Sequence, residues 1–251
     1  MPQFFHGRGF RVLVHDADLS CYFSEATASY EVETAETTTF CDAARTYIPG
    51  VTDGTLSLSG LWDGSPRGID ELMRDRIAIE PETVVSLFPS NYLTVGRRVD
   101  LFSAHQTSLE ISGAVGSVVS LSADFQGSGP SRPGYILAAH TLRTSDVTEP
   151  SVDTGADYDT PAGAALVSQV HVTTNARTSP TTITVQASGD ELTWVTLATF
   201  TAPAYAVGPP EVGRHAERIR TDGPVPRYLR AAATSADAAG EITYAVSATR
   251  I

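Results

Sequence analysis

His15-Asp16-Ala17-Asp18 places an imidazole and two carboxylates within four residues, a spacing that could hold a metal ion or relay a proton. A turn between two strands accounts for it better, because Asp favours turns. Asp153 to Asp159 gathers carboxylates that could bind calcium, but it lacks the ligand order of an EF-hand loop and reads as a solvated loop. Cys21 and Cys41 have no CxxC or histidine-rich neighbourhood, so no zinc site is expected. Whether the two pair is open; free, partly buried thiols suit a protein made in a reducing cytoplasm. His6, His15, His105, His140, His171 and His215 are scattered, with no two at ligand spacing on one helix. No GxSxG elbow occurs, since Gly54-Thr55-Leu56-Ser57 and Ser57-Leu58-Ser59-Gly60 lack its spacing. Gly7-Arg8-Gly9 and Gly127-Ser128-Gly129 do not open a βαβ unit, and there is no Walker A sequence. The expectation is a protein with no catalytic residue, cofactor or metal, and not an enzyme.

One charge feature remains: the acids Asp16, Asp18, Glu25, Glu31, Glu33, Glu36 and Asp42. Glu31 and Glu33 alternate, so they share one face of a strand. That face could line a channel or simply face solvent. The whole chain carries 29 acids against 17 bases, a net charge of −12. Phosphate binding depends on neutralisation by basic side chains, so a nucleic-acid gripping groove is not expected. A negative surface repels DNA, which suits a conduit or merely keeps a protein soluble. All 17 bases are Arg, a bias explained by a GC-rich coding genome rather than by any mechanism.

The elements that must carry these residues are strands. Thr55-Leu56-Ser57-Leu58-Ser59, Val119 to Phe125, Thr182 to Ala187 and Ile242 to Ser247 alternate apolar with small polar residues. The polar partners are mostly Ser and Thr, so such a face can be covered by another subunit without burying charge. One helix is predicted, roughly Gly68 to Ile79, docking through Ile69, Leu72, Met73 and Ile77 and stopped by Pro81. Gly127 to Gly134 has linker composition, and Ser145 to Gly163 is loose. Later strands are expected at Val167–Thr174, Trp194–Thr201, Arg227–Ala232 and Glu241–Thr249, with a turn at Ser188–Glu191, a loop at Ala202–Gly213, and Trp194 capping the core. The first ten residues lack the apolar core and cleavage site of a signal peptide, and no apolar stretch approaches the ~20 residues a membrane helix needs.

The stretch Glu33 to Gly64, ETAETTTFCDAARTYIPGVTDGTLSLSGLWDG, resembles the tail tube (major tail) proteins of long-tailed, non-contractile, siphovirus-type bacteriophages, especially those of actinobacterial hosts. The features are an acidic lead-in and Thr-Thr-Phe step (Glu36–Phe40), a Tyr-Ile-Pro-Gly turn (Tyr47–Gly50) and a Asp-Gly-Thr-Leu-Ser-Leu strand (Asp53–Leu58). Val12–Phe23 and Gly116–Gly129 fit the same pattern, so the resemblance covers roughly residues 10–129. Cys41 stands where relatives often have Gly.

The resemblance implies a mainly all-β chain, with a tail-tube-like β-sandwich or barrel and one flanking helix in residues 1–133. Residues 134–251 would form a second antiparallel β-sandwich, similar to discoidin-type or carbohydrate-binding jelly rolls around Ser188–Trp194 and Arg227–Arg230. It implies rings of identical subunits stacked into a DNA-conducting tube in the virion tail, made in the host cytoplasm. Its partners would be further copies, the tape measure, tail terminator and distal tail proteins, and passing DNA held without specific binding, with no membrane. A long loop, placed at Glu36 to Thr52, would reach the next ring. Thr38, Thr39, Phe40, Tyr47, Ile48, Pro49 and Gly50 are the interface candidates, and Glu31, Glu33 and Glu36 the lumen-facing acids. Phe40, Tyr47 and Ile48 either anchor in a neighbouring subunit or fold back on their own domain. The rival readings are a glycan-binding or adhesion protein, which needs Trp194 and Tyr228 at the surface, and another virion component such as a capsid decoration or minor tail protein.

Overall fold

The computed structural model describes residues 7–39, 41, 43–65, 68–77, 82–89, 93–129, 132–157, 164–205, 213–236 and 240–251. In chain order the strands are β1 (Arg11–Val14), β2 (Ala17–Asp18), β3 (Phe23–Glu36) and β4 (Tyr47–Leu61). Helix α1 (Ile69–Arg74) follows, then β5 (Thr83–Phe88), β6 (Arg98–Ser112), β7 (Ser120–Gly127), β8 (Arg132–Arg143), β9 (Val147–Thr148) and β10 (Val152–Asp153). The chain ends with β11 (Ala165–Asn175), β12 (Thr181–Ser188), β13 (Val195–Ala202), β14 (His215–Asp222), β15 (Tyr228–Ser235) and β16 (Ile242–Arg250). The protein is mainly all-β, and every strand pair for which a register is resolved is antiparallel.

The chain forms two compact units. One comprises Met1–Ser20, Val84–Leu101 and Arg132–Ile251; the other comprises Cys21–Thr83 and Phe102–Ser131. This division is discontinuous in sequence, where the sequence reading has 1–133 and 134–251. The expected linker is also shorter than its composition suggests. β7 runs through Gly127, and Arg132 to Gly134 already belong to β8, paired with Leu101 to Val99 of β6.

The first unit is a sandwich. One sheet runs β14-β11-β16-β8 and continues through the start of β6 to β5, β1 and β2; the other runs β10-β15-β12-β13, with β9 also on β15. Alternation along the strands sends Leu166, Val170 and Val172 of β11 and Tyr244, Val246 and Ala248 of β16 into one core. They share it with Ile183 and Val185 of β12, Phe200 of β13 and Leu229 and Ala231 of β15. Each Leu, Ile, Val or Phe among them contributes about 1.5–3 kcal/mol by leaving water. Leu13, Phe88, Val99, Leu101, Ile136 and Ala245 form a second, smaller cluster in this unit. Arg177, fully enclosed after β11, ties loops together: its guanidinium donates to Asp146 Oδ1 (3.2 Å), the Ser145 carbonyl (2.9 Å) and the Gly240 carbonyl (3.1 Å).

The second unit is a sheet of β3, β4, β7 and the later part of β6. Leu56, Leu58, Phe102, Ala104, Leu121, Ala123 and Phe125 are buried, together with Ile69 and Met73 of α1. Gly60 is obligatory where β3 begins, because a Cβ there would lie 2.1 Å from the Tyr22 carbonyl oxygen. Helix α1 is six residues long rather than the predicted span to Ile79. The Asp75 amide still donates to the Glu71 carbonyl, but the Arg76 and Ile77 amides donate to the Met73 and Arg74 carbonyls three residues back, which tightens the last turn. Ile77 then leaves the helix to bridge Gln106 and stays 41% exposed instead of docking, while Ile79 and Pro81 lie outside the described residues.

Two further expectations are corrected. Glu36 to Thr52 is not one long loop: β3 extends to Glu36 and β4 starts at Tyr47, with Glu36 paired to Tyr47 and Val32 to Thr52. Trp194 does not cap the core. Its indole lies under the Arg230 guanidinium, 3.9 Å from the ring centroid, and Nε1 donates to the Glu191 carbonyl at 3.1 Å.

Candidate assembly surface

The sheet of the second unit has two chemically opposite faces, and cross-strand register shows how they arise. Residues directly paired across an antiparallel ladder share a face. Glu25, Thr27, Ser29 and Glu31 of β3 pair with Ser59, Ser57, Thr55 and Asp53 of β4. Ser59, Ser57 and Thr55 pair onward with Ser122, Asp124 and Gln126 of β7. Asp124 and Ser122 pair with Ser108 and Glu110 of β6. One face therefore carries Glu25, Glu31, Asp53, Glu110 and Asp124 on a field of Ser, Thr and Gln, without an arginine. Its one imidazole is His105, opposite Gln126.

Hydroxyls and amides, not cations, hold these carboxylates. Asp124 accepts from Ser57 and Ser108, both at 2.7 Å, and these bonds keep its carboxyl below the usual range, so it stays ionised. Asp53 accepts from Gln126 Nε2 at 2.6 Å and from the Gly54 amide at 2.7 Å. Glu31 sits directly opposite Asp53, an arrangement of like charges that costs stability. A solvent face chosen for stability alone would place a base there.

Beyond Thr55, where the β4–β7 ladder ends, β3 and β4 continue as a two-stranded ribbon from about Tyr30 to Gly54. A two-stranded ribbon is at best marginally stable in water by itself. This one is pinned at its far end by Thr residues: Thr37 N–H donates to the Thr46 carbonyl at 2.9 Å, and Thr46 N–H to Thr38 Oγ1 at 3.1 Å. Yet it presents Tyr30, Val32, Tyr47, Ile48 and Val51 with 43–72% of their surface exposed. Tyr30 stacks on Phe102, ring centroids 5.4 Å apart, and anchors the ribbon's base.

The predicted residues divide as follows. Tyr47, Ile48, Pro49 and Gly50 lie in β4, exposed, and do not fold back on the unit; Thr38 and Thr39 are exposed in the connection; Phe40 lies outside the described residues. β4 carries an extra residue opposite Glu33, and a Cβ on Gly50 would lie 3.2 Å from the Glu33 carbonyl oxygen, so Gly50 lets the two strands approach there. Glu31 and Glu33 share the acidic face by strand alternation. Glu36 does not: it pairs with Tyr47 on the other face, its carboxylate 3.9 Å from Arg45. Asp53, Asp124 and Glu110 complete the acidic face and were not singled out by sequence. Their signal was parity, since Asp53 precedes Thr55 and Ser57 by even steps and Asp124 follows Ser120 and Ser122. Cys21 and Cys41 are exposed free thiols.

The first unit's second sheet turns a different surface outward. Arg230, held by Gln186 Oε1 at 2.8 Å, covers Trp194, and Arg227 lies over Tyr228, 5.0 Å from the centroid. Arg227 clasps Asp153 with two bonds of 2.7 and 2.6 Å, which with the Gly155 amide draw the Asp153 carboxyl down to about 2. Trp194 and Tyr228 are thus half-buried, each already partnered by a cation.

Comparison with known proteins gives no match to any family model and none to the curated proteins. Solved structures do match. A chain from the virion of a native gene transfer agent particle is 16% identical, with a TM-score of 0.42 over 52% of this chain and 98% of that one. A chain from the tail of an empty gene transfer agent particle, refined with C6 symmetry, is 15% identical, with a TM-score of 0.41 over 51% and 98%. The SPP1 Dit protein, described as a paradigm of hub adsorption apparatus in phages infecting Gram-positive hosts, is 12% identical, with a TM-score of 0.35 over 96% and 99%.

Proposed function

We propose that this chain is a structural protein of a phage tail that works by self-assembly, as a subunit of stacked rings forming a DNA-conducting tube. The observation that carries this reading is the second unit's sheet: an arginine-free acidic face on one side, and a ribbon of exposed aromatic and aliphatic residues extending from its end. The acidic face, turned to a channel, repels phosphates and keeps DNA from adhering as it passes. The ribbon, with Tyr47 and Ile48 near its tip, clasps an adjacent ring, where its apolar side chains leave water. Among the described residues β3 pairs with β4 alone, and its other edge would take a strand of a neighbouring copy within a ring. The other partners in this reading are the tape measure, terminator and distal tail proteins, and the site of action is the virion. Electron microscopy of the purified protein, alone or with an initiating tail complex, tests it. Hollow tubes are the expected product, and a strictly monomeric particle under every condition contradicts the reading.

A second reading, glycan binding, has one observation in its favour: Trp194 and Tyr228 are half-buried on the sandwich and not enclosed in its core. Cell-wall pulldown with the full chain and with Trp194→Ala separates the two, because retention that depends on Trp194 belongs to adhesion alone.

A further inference from the structure

The β1–β2 turn of the first unit is fastened by a fully buried imidazole of β11, and we propose that this makes the β1–β2 hairpin an acid-sensitive latch on β11. His171 Nδ1 lies 2.6 Å from the His15 carbonyl oxygen. A carbonyl only accepts, so Nδ1 carries the proton. His171 Nε2 lies 2.8 Å from Ser86 Oγ, and Ser86 Oγ lies 3.1 Å from Gln169 Oε1. With a neutral ring, Nε2 accepts from the Ser86 hydroxyl. A proton taken up at Nε2 turns that nitrogen into a donor and places a full charge on an enclosed ring.

The cost of that proton is its setting. Ser86, Gln169 and His171 have no exposed surface. The titratable groups that act on His171 are His15 and Asp16 in the turn and His140 on β8; beyond them, Asp18 of β2 lies between His140 and Arg11 of β1, and Arg218 of β14 is paired opposite Gln169. Asp18 is already engaged by Arg11 at 3.2 Å and by the Ser20 amide at 3.1 Å, so it offers little to a new cation. Burial, aided by the neighbouring histidines, holds the closed-state ring down at about 4 against an ordinary 6.5. Opening therefore binds a proton, and lower pH favours it.

The turn is the element that can lift. β2 has two residues and sits at the end of its sheet, against β11, which is paired on both sides. His15 has φ of 53°, a left-handed conformation that costs a non-glycine residue energy and is relieved on release. The His15 amide bond to the Val84 carbonyl, at 2.7 Å, must break as it goes.

The test uses the full chain. Hydrogen exchange of the amides of residues 13–18, corrected for intrinsic rates, is followed as pH falls from 6.5 toward 4. The opening equilibrium is expected to rise by up to about tenfold per pH unit, while the amides of β12 keep their protection. His171→Gln removes most of the dependence; His140→Gln removes a smaller part, because that ring, bonded to Thr173 at 2.9 Å and 3.6 Å from Asp18 of β2, is also held below its ordinary value by burial. An undiminished dependence in His171→Gln overturns the proposal, as does β12 opening in step with the hairpin. Direct NMR titration of His171 in the unaltered protein decides independently of any variant's folding: a transition at or above 6.5 in the closed state overturns it, and one well below supports it.

Discussion

β4 and β12 carry the same alternation of apolar and small polar residues, yet their surroundings differ. β12 is paired on both sides, to β13 and β15, and its inward residues Ile183, Val185 and Ala187 meet a facing sheet. β4 is built that way only from Thr55 onward, where β3 and β7 flank it. From Tyr47 to Gly54 it has one neighbour among the described residues, and its Tyr47, Ile48 and Val51 are at least half exposed. Alternation specifies a strand; it does not say whether the strand's own chain supplies enough neighbours. Sequence that spends aromatic and β-branched residues on a stretch with none left to pack against is sequence that expects another molecule.

The comparison predicts where substitutions damage the fold. Phe200→Ala removes a fully buried ring from the two-sheet core and should cost about 3–5 kcal/mol in chemical denaturation of the full chain. A loss under about 1 kcal/mol would mean that the sandwich core is not packed around Phe200. Arg177→Ala comes next. It strands the Ser145 and Gly240 carbonyls, while Asp146, 38% exposed, recovers water; a loss of about 2 kcal/mol is expected. Arg177→Lys should restore only part of this, since one ammonium cannot reproduce the guanidinium's spread of donors.

What sequence could reveal follows the same division. The strands with one less buried face, β4, β7 and β12, were visible in their period of two, and so was β16, which is buried on both faces but alternates small with larger side chains. β5 (TVVSLF) is buried throughout and shows no period, and β14 (HAERIRTD) is an edge strand whose charges mask its pairing to β11. The acidic face was half legible: Glu31 and Glu33 declare themselves by parity on one strand. Asp53, Asp124 and Glu110 join them only through the β4–β7–β6 register, which is set by contacts far apart in sequence. Glu36 was misplaced because counting acids ignores parity. The latch at His171 was invisible, because Ser86, His15 and His171 meet only when β1–β2 approaches β11.

Smaller effects test the acidic face. Glu31→Gln relieves the repulsion across from Asp53 and should stabilise the isolated chain by a few tenths of a kcal/mol, about 0.5 at most, with the gain shrinking as salt is raised. Salt-independent stabilisation would assign the effect to side-chain propensity instead of charge. If the face lines a channel, the same change lowers no assembly yield, since the carboxylates act on what passes and not on what holds the ring together.

The least change to the folded chain is expected at the ribbon, and there the contrast between the two regions is sharpest. Tyr47→Ser with Ile48→Ser removes side chains already half in water, so the denaturation midpoint should move by no more than about 0.5 kcal/mol in equivalent stability. Under the proposed assembly the same pair of substitutions abolishes tubes, because in the stacked state these side chains would be dry and would act as anchors. A variant that is as stable as the original and still polymerises would remove the ribbon from the interface, leaving its exposed apolar residues without a purpose. A variant that unfolds would show that Tyr47 and Ile48 pack within their own chain, and β4 would then be no different in kind from β12.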